Sequence, residues 1–286
     1  MHESRYLSLL LSCATACMAL CIGVSAIAEK PDIKTASLKQ QEGSKVALVI
    51  GNADYSPRPL RNPVNDAQSV ATALHELGFD VTLRDNVDFT QMLDAMRDFW
   101  LKSREANVRV FYYAGHGVQY HGENYLLPVD TILKSEDDIP RKAASVNALL
   151  DKLKQASTGV NILILDACRT LPFLSTRGRN SSTTRGSENG LAQVVAPQGT
   201  LIAFSTAPGA VAYDGAGDNS IYTHRLITHL KTPGLPVEQL FKRVRIDVVQ
   251  LSKDQQIPWE SSSLLGDFCF RTGQTGKCPA SEYVGH

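Results

Sequence analysis

The sequence predicts an α/β fold with about six strands in a mostly parallel sheet and helices on both of its faces. Three observations support this prediction: short runs of branched aliphatic residues, longer segments with helical periodicity between them, and polar residues where the apolar runs end. Strands and helices that alternate in this way are typical of βαβ units, whose crossovers are right-handed. Strands buried on both faces have continuous apolar sequences, as several of these runs do.

The first half of the chain shows the clearest alternation. Lys45–Gly51 predicts a buried strand, and residues 52–59, with Asn, Ser and two prolines, predict a loop. Pro63–Leu77 has an apolar stripe at helical spacing and stops at a glycine, so it predicts an amphipathic helix. Asp80–Arg84 predicts a strand. Residues 90–101 predict a helix whose core-facing side chains are Met92, Leu93, Met96, Phe99 and Trp100.

The second half continues the pattern with some additions. A short hairpin is expected to turn at His121 and Gly122, and its position in a turn makes His121 a poor candidate for a general base. The other predicted elements are strands at Val108–Gly115, Asn161–Leu165 and Thr200–Ser205, helices at Ser145–Gln155, Ile221–Leu230 and Val237–Leu251, and a short closing strand at Asp267–Phe270.

Two residues with catalytic chemistry follow predicted strands. His116 comes after Val108–Gly115, and Cys168 follows the apolar run that ends at Leu165. A single Cys after a strand is usually an inert core residue, and a single His is usually structural. The pair is more informative, because the carboxyl ends of parallel strands meet at one edge and the two residues are separated by roughly fifty positions.

Four motifs in order resemble those of bacterial caspase-like or metacaspase-like cysteine peptidases. They are Tyr112–Gly117, Asp166–Arg169, Ser205–Gly209 and Ile257–Ser262. The resemblance extends from about Lys45 to about Phe270, and it implies a three-layer caspase-like fold over residues 44–270. Within this span, residues 171–198 are predicted to be a mobile surface loop, because their first part is rich in Ser, Thr, Gly and Arg and has no apolar period, and residues 271–286 are expected to form a tail.

The chemistry expected of these residues is acyl transfer by a thiolate and an imidazole. Cys168 is the nucleophile, and His116 accepts its proton and later protonates the leaving amine. The backbone amides of Gly117 and Cys168 are the expected oxyanion donors, as the family resemblance also implies. No metal or organic cofactor is expected. A calcium requirement is not indicated, because residues 136–138 lack the alternating oxygen ligands of a calcium loop.

Acidic residues predict cleavage after Arg or Lys. Asp166 lies two positions before Cys168 on a strand, so both side chains are expected on one face, beside the scissile bond. Caspases that cleave after Asp have a basic residue in the region where this chain has Asp214, and resemblance to metacaspases suggests a further carboxylate at Asp66. Carboxylates would bind a cationic side chain, with Arg favoured where the geometry is bidentate.

The arginines of the predicted loop are candidate self-cleavage sites. Exposed loops are where proteolytic nicking concentrates, and the candidates are Arg177, Arg179 and Arg185. The alternative is a single chain that stays intact. A different class of function also remains open, because caspase folds serve as catalytically silent binding or scaffold proteins.

The amino terminus has the layout of a secretory signal at residues 1–28, followed by a flexible lead-in at residues 29–43. The protein is therefore expected to be periplasmic or secreted, with an uncleaved membrane anchor as the alternative. A polypeptide substrate is expected. Formal charge is zero, which gives no electrostatic argument for nucleic acid, and no later apolar run is long enough to span a membrane. The sequence does not indicate an oligomeric state.

Cysteine usage adds one expectation. Three cysteines, Cys168, Cys269 and Cys278, lie beyond the predicted signal. Disulfides persist in exported proteins, so we expect Cys269 and Cys278 to be bridged and Cys168 to be free. The alternative is three free thiols.

Overall fold

The structure is a computed structural model that describes residues 43–156, 158–168, 191–207 and 217–279. The predicted signal and all of the lead-in except Gly43 therefore lie outside the described residues, as do most of the predicted loop and the end of the tail. The strands are β1 (Lys45–Gly51), β2 (Asp80–Asp85), β3 (Val108–Tyr120), β4 (Glu123–Leu126), β5 (Ala144–Ser145), β6 (Val160–Cys168), β7 (Thr200–Phe204) and β8 (Trp259–Ser262). The helices are α1 (Pro63–Glu76), α2 (Phe89–Ser103), α3 (Ile139–Lys142), α4 (Val146–Lys154), α5 (Ile221–Leu230) and α6 (Val237–Leu251).

The main sheet has the strand order β2-β1-β3-β6-β7-β8. Every neighbouring pair is parallel except β7 and β8, which are antiparallel. Strand β3 extends beyond the main sheet and pairs with β4, and β4 pairs with β5. The predicted fold class, a mostly parallel sheet of about six strands with helices, is confirmed.

Two core clusters lie on opposite faces of this sheet, because successive strand side chains point in opposite directions. One cluster joins Val49, Tyr112 and Ile164 to the apolar sides of α1, α5 and α6. The other joins Leu48, Phe111 and Leu163 to α2 and α4. The sheet is thus covered on both faces, and residue parity along each strand decides which helices a side chain meets.

Local sequence explains where several helices begin. The Asp88 side chain accepts a hydrogen bond from the Gln91 backbone amide at 2.8 Å, and the Gln91 side chain accepts one from the Asp88 backbone amide. These reciprocal bonds form a capping box at the start of α2. Ser145 and Ser220 cap α4 and α5 through their hydroxyls. Helix α1 begins at Pro63, whose missing N–H costs nothing at a first position.

Three sequence predictions were wrong in detail. The antiparallel strand that closes the sheet is β8, whereas residues 267–270 contribute only one isolated bridge, Pro236 with Cys269. Leu93 is 43% exposed instead of facing the core. The end of the predicted loop is packed, since Leu191 and Ala196 are buried in the cluster with α2 and α4.

Candidate active site

Adjacent parallel strands bring the backbones of His116 and Cys168 together. In the register of β3 and β6, His116 is the partner of Cys168, and Ala114 is the partner of Asp166. Strand β3 does not end at Gly115, as the sequence suggested, but continues through His116 to Tyr120 and pairs with β4. The Cys168 side chain itself lies outside the described part of the structure.

The His116 imidazole is buried, with 2% of the residue exposed. Its ring centroid lies 4.4 Å from that of Tyr55. The imidazole Nε2 lies 3.5 Å from the carbonyl oxygen of Arg58, an acceptor that suits the tautomer with a proton on Nε2. The loop between β1 and α1 therefore contacts the ring through Tyr55 and Arg58, although the sequence analysis assigned no role to this loop.

Gly117 lies where neighbouring groups leave little space. A Cβ atom at this position would be 3.1 Å from Cδ2 of Leu191 and 3.2 Å from Cβ of Ala167. These distances are tighter than ordinary contacts, so a side chain would require its neighbours to move. The segment that begins at Leu191 thus packs directly against the expected oxyanion region.

Two predicted substrate-binding residues, Asp66 on α1 and Asp166 on β6, contact the start of helix α5. Asp166 accepts hydrogen bonds from the hydroxyls of Ser220 at 2.7 Å and Thr223 at 3.0 Å. Asp66, on α1, accepts from the Asn219 side chain at 2.8 Å and from the Ser220 amide at 2.9 Å. Both carboxylates are at least nine-tenths buried, with exposures of 2% for Asp66 and 8% for Asp166. Residues far apart in sequence thus form one acidic site.

Burial and the nearby Asp166 carboxylate raise the pKa of Asp66 from 3.8 to about 7. Hydrogen bonds from Asn219 and Ser220 act in the opposite direction. A cation placed between the two carboxylates would relieve both the burial cost and the repulsion. The site is therefore electrostatically suited to a buried positive charge.

Tyr112 extends this network on the same face of the sheet. Its hydroxyl lies 2.6 Å from that of Thr223, which donates its single proton to Asp166. Tyr112 must then donate to Thr223. Burial, followed by the charges of Asp66 and Asp166, raises the pKa of Tyr112 well above its usual value. The hydroxyl thus remains a donor at physiological pH.

The remaining predicted site residues are outside this arrangement or outside the described residues. His121 is exposed in the two-residue turn between β3 and β4, where both His121 and Gly122 have positive φ. Asp214, Arg177, Arg179 and Arg185 lie beyond the described residues.

The structure joins Cys269 to Cys278 by a disulfide, with the two Cα atoms 5.4 Å apart. Residue 269 also bridges Pro236, and the Gly234 amide donates to the Arg271 carbonyl at 2.9 Å. The start of the predicted tail is thereby attached to the segment before α6.

The described residues contain neither a cluster of potential metal ligands nor a helix suited to crossing a membrane. No group of three or more His, Cys, Asp or Glu side chains there is arranged to hold a metal ion. No helix in the same part of the chain has the length and apolarity required to cross a membrane. Residues 136–138 form a short 3₁₀ helix, and Asp138 accepts from the Lys134 amide at 2.8 Å.

Comparison with known proteins identifies the family. The profile of the caspase domain matches residues 44–269. The chain belongs to the caspase-domain family. Caspase domains are cysteine peptidase domains as a class, and the mostly parallel sheet with its antiparallel edge agrees with that fold.

Two curated relatives share part of this caspase domain. The chain is similar to human mucosa-associated lymphoid tissue lymphoma translocation protein 1, with 32% identity over 140 residues, 46% of this chain and 16% of the relative. The mouse homolog is 31% identical over 154 residues, 50% of this chain and 18% of the relative. The matched region is thus less than a fifth of either relative's length.

Sequence reasoning missed several residues of the site. Asn219, Ser220 and Thr223 were overlooked because they precede or begin a helix that was identified only by its apolar stripe. A Ser directly before such a stripe is a capping signal, and it could have indicated the start of α5. Tyr55 offered no comparable signal, because it lies in an irregular loop.

Proposed function

We propose that this caspase-domain protein is an endopeptidase that cleaves after Arg or Lys with a His116–Cys168 dyad. The observation that carries the proposal is the strand register, in which the two residues are backbone partners on adjacent parallel strands. Partners in a sheet are about 5 Å apart, which is within reach of a His and a Cys side chain on one face.

The reaction proceeds by acyl transfer. The Cys168 thiolate attacks the carbonyl carbon of the scissile peptide, forming a C–S bond, and the negative charge moves to the carbonyl oxygen. Amides of Gly117 and Cys168 donate to that oxyanion. When the C–N bond breaks, His116 gives its proton to the leaving amine. His116 then takes a proton from water, which attacks the thioester and releases the carboxylate and the thiol.

The acidic pair Asp66 and Asp166 supports specificity for a cation. Parity along β6 puts the Asp166 side chain on the face of Ile164, the face covered by α1 and α5. Cys168 is two residues further along the strand, so it has the same parity. A substrate side chain that enters from the nucleophile would meet both carboxylates. A planar guanidinium can bond two carboxylates at once, which favours Arg over Lys.

Asp214 and the loop arginines extend the proposal. Asp214 would add a third carboxylate to the pocket. Cleavage after Arg177, Arg179 or Arg185 would give a larger fragment with the dyad and a smaller fragment that carries β7 and α5. Purified protein would then run as two bands on a denaturing gel, whereas Cys168→Ala would run as one. Identical bands for both proteins would refute self-processing and leave the dyad untouched.

Activity and labelling test the central proposal together. Matched fluorogenic peptides that end in Arg, Lys or Asp should be cleaved in that order of preference, with and without a chelator. An arginyl chloromethyl ketone should label Cys168. Labelling should be lost in His116→Ala and retained in His121→Ala, a control in the exposed hairpin turn. A folded protein that is neither labelled nor active would instead support a scaffold, and preferential cleavage after Asp would refute the specificity.

A further inference from the structure

Two buried tyrosine hydroxyls lie against the backbone of His116. Tyr55 comes from the loop after β1, and Tyr113 lies three residues before His116 in β3. Their oxygens are 3.0 Å apart. Tyr55 is 2% exposed and Tyr113 is 0% exposed. We call these two residues the tyrosine clasp.

The clasp engages both backbone polar groups of His116. The His116 amide donates to the Tyr55 hydroxyl oxygen at 3.1 Å. The Tyr113 hydroxyl donates to the His116 carbonyl at 2.8 Å. Tyr55 retains its own proton for the Leu127 carbonyl, 2.9 Å away. The peptide groups on both sides of the histidine Cα are therefore held by side chains as well as by strand pairing.

The Tyr55 ring also contacts the imidazole. The two ring centroids are 4.4 Å apart, with an interplanar angle of 53°. The Arg58 carbonyl from the same loop lies 3.5 Å from Nε2. Rotation of the imidazole about its side-chain bonds would break the contact between the two rings. Movement of the loop would change both the ring contact and the contact between Nε2 and the Arg58 carbonyl. Tyr55 is thus the residue of the clasp that contacts backbone and ring together.

The backbone at Gly115 shows how tightly the clasp fits. Gly115 has a φ of +154°, and an added Cβ would lie 2.7 Å from each tyrosine hydroxyl. Only a residue without a Cβ allows both hydroxyls to approach the strand at this position. The glycine and the two tyrosines therefore form one structural unit next to His116.

We propose that Tyr55 is a positioning residue for the His116 imidazole, an inference that rests on the proposed peptidase function for its kinetic consequence. Its hydroxyl fixes the His116 backbone, and its ring limits rotation of the imidazole. Proton transfer between Cys168, His116 and the leaving amine requires this alignment, and a displacement of about 1 Å can reduce a rate about 100-fold. Substrate binding, by contrast, does not depend on the imidazole orientation.

Kinetics of three variants test the proposal. Tyr55→Phe removes the hydroxyl and keeps the ring. We expect kcat to fall about fivefold, because that factor corresponds to the net free energy of one hydrogen bond. Tyr55→Leu removes both contacts, and we expect a loss of roughly 100-fold. KM should stay within about twofold of the wild-type value in both, because the interaction serves the chemical step. Tyr222→Phe is the matched control, since the Tyr222 hydroxyl is buried and has no hydrogen-bond partner among the described residues.

A second readout does not require catalysis. In protein labelled with ¹⁵N-histidine, the resonances of His116 are those that disappear in His116→Ala. We expect one tautomer in the wild type and in Tyr222→Phe, and averaged ring nitrogen shifts in Tyr55→Leu. An unchanged tautomer in both Tyr55 variants would overturn the positioning role. If no peptide is cleaved, the proposed function fails, but the His116 resonances still decide the role of Tyr55. If Tyr55→Leu does not fold, the comparison of Tyr55→Phe with the wild type decides that role.

Discussion

Replacing Asp66 by Asn should stabilise the protein and weaken the proposed specificity. The pKa of Asp66 rises from 3.8 in an unperturbed carboxyl to about 7 in the folded chain. Folding therefore favours the protonated form, and wild-type stability falls as pH rises from about 4 to about 7. Asn keeps an oxygen for Asn219 and the Ser220 amide but carries no charge. The destabilisation is thus absent from the variant.

The size of the effect follows from the same pKa. A rise of this extent corresponds to at most roughly 4 kcal/mol. We expect about 2 kcal/mol at pH 8, because the Asn side chain would also bring an amide NH2 group into a site where residue 66 is buried. This difference equals an increase in melting temperature of roughly 4–8 °C. At pH 4 both folded proteins carry a neutral group at residue 66, and most of the difference should disappear.

The assay compares melting temperatures at pH 4, 6 and 8 for wild type, Asp66→Asn and the control Asp94→Asn. Asp94 is a carboxylate that pairs with Arg97 at the surface, and its side chain is 52% exposed, so its loss should lower stability only slightly and should not stabilise the protein as pH rises. The same Asp66→Asn protein should lose at least roughly tenfold in kcat/KM for an Arg peptide. A stability difference independent of pH would refute the electrostatic reasoning, and an unchanged preference for Arg would remove Asp66 from the pocket.

Three further predictions concern stability. Arg109 is 1% exposed and donates to the carbonyls of Ser103 and residue 158. Arg109→Ala should lower the unfolding free energy by about 2–4 kcal/mol in urea titrations, because it leaves both acceptors unsatisfied. A loss below about 1 kcal/mol would show that water replaces the guanidinium. The Cys269–Cys278 bridge closes a short loop, with a separation of 9 residues, and its removal by paired Ala substitutions should cost about 2–3 kcal/mol. An intact mass without the loss of two hydrogens would contradict the bridge. Gly115→Ala should cost about 1–3 kcal/mol and lower kcat, since its φ of +154° and the nearby hydroxyls disfavour a side chain; wild-type melting would contradict this.

The sequence predicted elements that have one strong local pattern. The helical stripe of α1 and the apolar runs of β1 and β6 appear where expected, because each buries a continuous face against the core. Helices α5 and α6 have the predicted bounds. Such patterns depend only on periodicity within a segment.

The error in the closing strand arises because a segment can pair in a sheet without being apolar, and can be buried without pairing. Strand β8 is an edge strand with polar residues, so it lacks the apolar run of a central strand. Residues 268–270 are apolar because Phe268 and Phe270 pack into the core, not because they join the sheet. Periodicity cannot distinguish these cases.

The site was predicted in part for a related reason. Asp166 was identified from its spacing to Cys168, which is local information. Its hydrogen-bond donors Ser220 and Thr223 lie over fifty residues away, and Tyr55 is 61 residues from His116. Contacts between such distant positions depend on how the strands and helices pack, and a single sequence does not record that.

The acidic site formed by Asp66 and Asp166 has a consequence for any cut between residues 169 and 190. Its two carboxylates, Asp66 and Asp166, precede that region, and the groups that donate to them, at residues 219–223, follow it. Separation of the two pieces would leave both carboxylates without these hydrogen-bond donors. It would also leave the first turn of α5 without the carboxylate acceptors. The carboxylates proposed to select a substrate would then also help to hold a two-chain enzyme together. In such an enzyme a change of specificity and a change of subunit affinity would arise from the same substitution.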